Sequence, residues 1–188
     1  MNGRDRLLDS ALDLFVEHGY DAVGVQEIVE KANVTKPSLY HHFGSKRGLL
    51  GAIAAIMDDR LFAVLGDATV YKHDLPRDLE RVVSALLRFA GECPRHARLL
   101  LAAQNGPVGS ETRDALAEAW LRLSTNVDRF FRDASEDHGN MRGRSREYTV
   151  SLLGIVWAYA VLLLDGELEP DPGRAHAIAR QFSYGIYS

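Results

Sequence analysis

Residues 35–50 read TKPSLYHHFGSKRGLL, with two lysines, an arginine, two histidines and a tyrosine in 16 positions and no acid among them. The chain as a whole runs the other way, with 26 Asp and Glu against 22 Lys and Arg. A net-negative protein therefore keeps one short segment free of negative charge and rich in hydrogen-bond donors. The segment reads as a helix and the start of another. Pro37 sits where a first helical turn tolerates a missing N–H. Gly44 closes that helix, and Ser45 is placed to cap the next, ahead of Leu49, Leu50, Ile53, Ile56 and Met57. Leu39 and Phe43, four apart, share the inward face.

Upstream, Leu7, Leu8, Ala11, Leu12, Phe15 and Val16 repeat with helical period and stop at Gly19. Val25, Ile28, Val29 and Ala32 make a second short helix, ended by Asn33, a residue that tolerates the left-handed conformation. Three short helices within about 45 residues, the last two joined by a tight turn, describe a helix-turn-helix unit. Its third helix lies in the major groove, where a carboxylate would repel the phosphates that supply much of the binding energy. Lys36 and Lys46 suit phosphates at either end, while Ser38, Tyr40, His41 and His42 are hydrogen-bond donors of different reach.

The run GYDAVGVQEIVEKANVTKPSLYHHFGSKRGLL, and LYHHFGSK at 39–46 above all, resembles the N-terminal domain of TetR-type transcriptional repressors over roughly residues 4–57. The resemblance implies a homodimer with a DNA-binding head and a larger helical body that holds a small-molecule pocket and the dimer interface. It places Thr35, Lys36, Pro37, Ser38, Tyr40, His41 and His42 on the DNA-reading helix or its start. Lys46 matches the family's phosphate-contacting lysine, and Gln26 the exposed start of the second helix. Where the family has Ser or Thr capping that helix, this chain has Gly24, which removes one hydroxyl–phosphate contact.

Beyond Gly66 the helical period continues. Leu79, Val82, Val83, Leu86 and Phe89 mark one helix and residues 96–104 a shorter one. Leu116, Trp120, Leu123, Val127 and Phe130 mark a long third. Residues 135–146 read as a polar loop, 147–164 as a helix apolar on nearly all faces, and a last helix starts near Arg174. No alternating strand pattern stands out. The expectation is an all-α chain of about nine helices, with a DNA-binding domain over 1–48 and a helical ligand-binding and dimerisation domain over 49–188.

An all-round apolar helix must be buried all round. Ser151, Gly154 and Ala158 form a stripe of small residues along 147–164, and the last helix offers Ala175, Ile178, Ala179, Phe182 and Ile186 on one face. Two such helices from each of two chains would make a four-helix interface, with Ser151, Gly154, Ala158, Ile178 and Phe182 in it. Phe62, Phe89, Trp120 and Trp157 are candidate walls of an apolar effector pocket.

Composition bounds the alternatives. At 188 residues, 46% hydrophobic and 26% charged, the chain can bury a sizeable core. The single cysteine, Cys93, forms no internal disulfide and points to a reducing compartment. The N-terminus, with acids at Asp5 and Asp9, does not resemble a signal peptide, and the most apolar run, Thr149–Leu164, falls short of the about 20 residues a membrane span needs. The expectation is a cytoplasmic protein with no membrane partner. Adjacent His41 and His42 lack the i, i+4 spacing of helix-borne metal ligands, and no Gly-rich phosphate loop, His-Glu-x-x-His or Gly-x-Ser-x-Gly motif occurs. Neither a metal, a cofactor nor an enzymatic activity is expected. The partners expected are palindromic double-stranded DNA, a small hydrophobic or aromatic effector and a second copy of the chain. The rival reading is a helical ligand-binding or protein-interaction module whose head no longer reads DNA; the net charge of −4 and Gly24 favour it.

Overall fold

The computed structural model describes residues 2–185, which divide into two compact units. Among the described residues every regular element is helical: α1 (Gly3–His18), α2 (Val25–Lys31), α3 (Lys36–Phe43), α4 (Lys46–Leu65), α5 (Leu75–Glu92), α6 (Pro94–Asn105), α7 (Glu111–Asp137), α8 (Ser145–Leu164) and α9 (Arg174–Tyr184), with one 3-10 turn at Gly139–Met141.

The first unit comprises residues 1–59 and 95–119. Its helix ends are set locally, by the residues the sequence offers there. The Asn2 side chain accepts the Asp5 N–H and starts α1. Gly19, at φ 81, ends it and returns its N–H to the Phe15 carbonyl. Asn33 stands at φ 50 after α2, and Gly44 at φ 73 makes the turn between α3 and α4. Ser45 Oγ accepts the Gly48 N–H, capping α4. α1 packs on α2 and α3, and the three bury Leu7, Ala11, Leu12, Phe15, Ile28, Val29 and Leu39. α4 adds Leu49, Leu50, Ile53 and Met57 to the buried set.

The second unit comprises residues 60–94 and, among the described residues, 120–185. α5 is its centre and packs on both α8 and α9. Its apolar face buries Leu79, Val82, Val83, Leu86 and Phe89. The last three residues of α7, 135–137, run through a stretch the sequence reading placed in a polar loop. Ser135 Oγ returns to the Arg132 carbonyl instead of breaking the helix, so the connection shrinks to residues 138–144.

α8 also starts earlier than expected. At 20 residues it is long and apolar enough to cross a membrane by length and composition. Its Leu152, Leu153, Val156, Trp157 and Ala160 are buried, whereas Val150, Ser151, Gly154, Ala158 and Val161 are exposed. Composition made the helix look uniform, but packing makes it one-sided.

Candidate nucleic-acid interface

α3 is sorted by helical position. Leu39 has no exposed surface, while Lys36, Pro37, Tyr40, His41 and His42 are exposed and Ser38 is half-buried. Phe43, expected inside, is only half-buried, and the Arg4 guanidinium carbon lies 5.6 Å from its ring centre. Thr35 occupies the cap position of α3 without a side-chain capping bond, as Gly24 does for α2. At the start of α3 the Lys36 N–H and the Thr35 hydroxyl therefore remain uncapped, since Pro37 has no N–H and the Ser38 N–H donates to the Thr35 carbonyl. The His41 and His42 rings meet edge to face at 5.2 Å.

Two candidates are already engaged. The Gln26 amide donates to the Glu30 carboxylate one turn along α2. A DNA contact from Gln26 would exchange that bond. The acid-free patch is thus α3 with the start of α4, since α2 carries Glu27 and Glu30 on its exposed side.

The half-buried Lys46 is the second. Its Nζ donates to the Tyr20 and Val23 carbonyls, 2.9 Å each, and lies 4.0 Å from the Tyr20 ring centre. An ammonium has three donors, so one is left for a phosphate. The same lysine closes the 19–24 loop that leads into α2.

Tyr20 carries more than that. Its hydroxyl donates to Glu111, the first residue of α7. Burial first, and then that carboxylate, push the phenol well above its ordinary range. Nearby, Arg95 at the start of α6 pairs with Asp9 at 2.8 Å and with Asp13, both on α1. Sequence reading missed Arg4, Tyr20, Arg95 and Glu111. The partners of Tyr20 and Arg95 lie 82 to 91 residues away, and no local pattern carries such a contact.

In the second unit the four candidate pocket residues do not form one lining. Phe89 is completely buried and belongs to the core. Phe62 is half-buried beneath the Arg122 guanidinium, 4.0 Å from its ring centre. Trp120 and Trp157 pair at 6.1 Å, and the Trp157 indole N–H is buried with no hydrogen-bond partner. A cavity of about 680 Å³ lies elsewhere in the unit, lined by Leu87, Arg88, Leu163, Pro172 and Arg174 among others, and none of the four reaches it.

The interface candidates also divide. Ser151, Gly154 and Ala158 are exposed. Ile178 has no exposed surface, because the apolar face of α9 packs inside the protomer, so it has none to give to a partner. Phe182 is half-buried, its ring 5.8 Å from Phe131 and 6.3 Å from Tyr148. Ile186 lies outside the described residues. The expected stripe of α8 is therefore exposed, whereas the Ala175, Ile178 and Ala179 face of α9 is buried.

Residues 7–53 match the family model described as bacterial regulatory proteins, tetR family. The HTH-type transcriptional activator FasR of Mycolicibacterium smegmatis is 31% identical over 182 residues, 97% of this chain and 81% of that protein. Two solved structures share the fold at lower identity. The fatty acid degradation regulator FadR of Bacillus halodurans superposes with a TM-score of 0.78 at 15% identity, over 100% of this chain and 97% of its own. FadR of Bacillus subtilis, solved in complex with stearoyl-CoA, gives 0.75 at 16% identity, over 97% of this chain and 99% of its own.

Proposed function

The chain belongs to the tetR family of bacterial regulatory proteins and is a DNA-binding transcription regulator, and from that premise we propose that it is a cytoplasmic homodimeric repressor, released from a palindromic operator by an elongated apolar effector. The observation that carries the DNA-reading part is the sorting of α3: Leu39 is wholly buried while the donors Lys36, Tyr40, His41 and His42 stand exposed on a surface without carboxylates. Residues 1–48 do the reading, with Gln26, Thr35, Lys36, Pro37, Ser38, Tyr40, His41, His42 and Lys46 as its contacts. Residues 49–188 bind the effector and the second copy. The exposed α8 stripe of Ser151, Gly154 and Ala158, flanked by Val150 and Val161, supports pairing there, since small residues let a second helix backbone approach closely.

An effector of the fatty acyl type is supported by the two FadR neighbours in fold, one a fatty acid degradation regulator and one solved in complex with stearoyl-CoA. Within this chain Phe62, Trp120 and Trp157 offer it apolar and aromatic surface, and the unpartnered Trp157 N–H offers a hydrogen bond. A second reading, an activator, is favoured by the name of the FasR relative. The two readings share one DNA-binding chemistry and differ in where the operator lies relative to the promoter.

Titration of stearoyl-CoA into the protein–operator complex tests the effector reading. Trp120 and Trp157 are the two tryptophans of the chain, so their fluorescence reports effector entry directly. The expected result is a fluorescence change and loss of the complex over the same concentration range. A complex that persists while the fluorescence stays constant overturns this effector class.

A further inference from the structure

Within the first unit, the helix-turn-helix segment is tied to the start of α7 at a point the DNA-reading account does not use. The 19–24 loop joins α1 to α2, and its Tyr20 and Val23 carbonyls hold the Lys46 ammonium at the start of α4. The loop ends at Gly24, whose position leaves the first N–H groups of α2 without a side-chain cap. One short loop thus sets the direction of the third donor of Lys46. The loop itself is gripped from outside the head: the Tyr20 hydroxyl donates to Glu111 in the first turn of α7. The Tyr20 ring is buried, packed edge to face on Phe15 at 5.0 Å and lying under the Lys46 ammonium. It therefore has little freedom to turn once its hydroxyl is held. Arg95 makes a separate hold on α1 through Asp9 and Asp13.

We propose that Tyr20 is a positioning residue for DNA binding: Glu111 fixes its hydroxyl, and Tyr20 in turn fixes the Lys46 ammonium where a phosphate meets it. Displacement of the first turn of α7 then withdraws a phosphate contact without touching α3. α7 runs unbroken from Glu111 to Asp137, so that first turn belongs to the same helix as Trp120 and Phe131. A ligand that shifts α7 acts on Lys46 through two hydrogen bonds, with no need to unfold the head. The inference rests on the DNA-binding reading above.

The test compares Tyr20→Phe, which keeps the ring under Lys46 and removes only the hydroxyl, with Glu111→Ala and the double variant. Each binds the operator recovered by wild-type selection, at several salt concentrations, and is followed by amide exchange over residues 20–26. Each single variant is expected to weaken binding roughly three- to tenfold, to make the salt dependence shallower, and to speed exchange in the loop. The double variant should be no weaker than either single, because both remove one interaction. Lost packing alone would lower the thermal midpoint but leave the salt dependence unchanged. Wild-type affinity and salt slope in Tyr20→Phe, or additive losses in the double variant, overturn the proposal while leaving DNA binding intact. If wild type enriches no operator, the DNA reading falls and this inference with it.

Discussion

At Lys46 one side chain serves two structural demands. Two of its donors close the 19–24 loop on the Tyr20 and Val23 carbonyls, which leaves one for DNA. Lys46→Ala should therefore weaken binding to every duplex and lower the salt slope by about 1, as expected for one lost phosphate contact. Substitutions at Lys36 or Ser38 should instead change preference among operators. Filter binding across salt concentrations separates the two effects. In the second unit, Asp137 Oδ2 sits 2.6 Å from His73 Nδ1 and accepts the Tyr71 hydroxyl at 3.0 Å. The carboxylate raises the His73 pKa, and burial with the Asp137 bond raises that of Tyr71 to about 12. Bonds from His73 first, and then Tyr71, lower that of Asp137. A raised imidazole pKa stabilises the fold fully below its unfolded value, about 6.5, and the contribution fades as pH climbs through the folded value. The lowered carboxylate acts in the opposite sense, contributing above about 3.9 and losing its contribution as pH falls through its folded value. The contact is thus strongest at mildly acidic pH. His73 stands at φ 63, a conformation Asn tolerates. In His73→Asn the melting temperature should fall less between pH 6 and pH 8 than in wild type; equal falls would remove His73 as the cause.

At the scale of elements, starts and stops were legible because single residues carry them. Gly19, Asn33, Gly44 and Ser45 each act through a backbone conformation or a bond within a few residues. The sorting of α3 was legible in part: Leu39 is wholly buried as its position requires, whereas Phe43, expected beside it, is only half-buried. What a helix packs against was not legible. The apolar stripe of α9 showed that Ile178 is buried but not by what, and α5 takes the place expected of a partner chain. On α8, apolar almost throughout, the stripe of Ser151, Gly154 and Ala158 marked the side that stays open, whereas the burial of the opposite side could not be told from composition. Its exposed stripe makes a sharp prediction: Ala158→Glu places like charges across a two-fold helix pair while leaving the protomer core untouched. Sedimentation equilibrium should show a folded monomer, with operator affinity down roughly a hundredfold as the second half-site contact is lost. A stable dimer carrying Ala158→Glu would move the interface off α8.

For the whole molecule, two heads are what make short recognition helices useful. One eight-residue helix reads few base pairs. A two-fold pair reads two half-sites separated by about 34–36 Å or a multiple of it. An effector need only alter how the two heads match that spacing, a coupling of about 1–3 kcal/mol that obliges DNA to weaken effector binding by the same factor. Nothing at this scale could be read from a single chain's periodicity, because operator spacing and coupling belong to the assembly. Family membership established the kind of molecule. The most direct test is selection from a pool of random duplex DNA by the purified protein at about 150 mM salt, a concentration at which non-specific phosphate binding is already weakened. The account predicts enrichment of a motif with two-fold symmetry, protected as two half-sites. A folded, dimeric protein that enriches no sequence would contradict it, and would leave the head as a fold that no longer reads DNA.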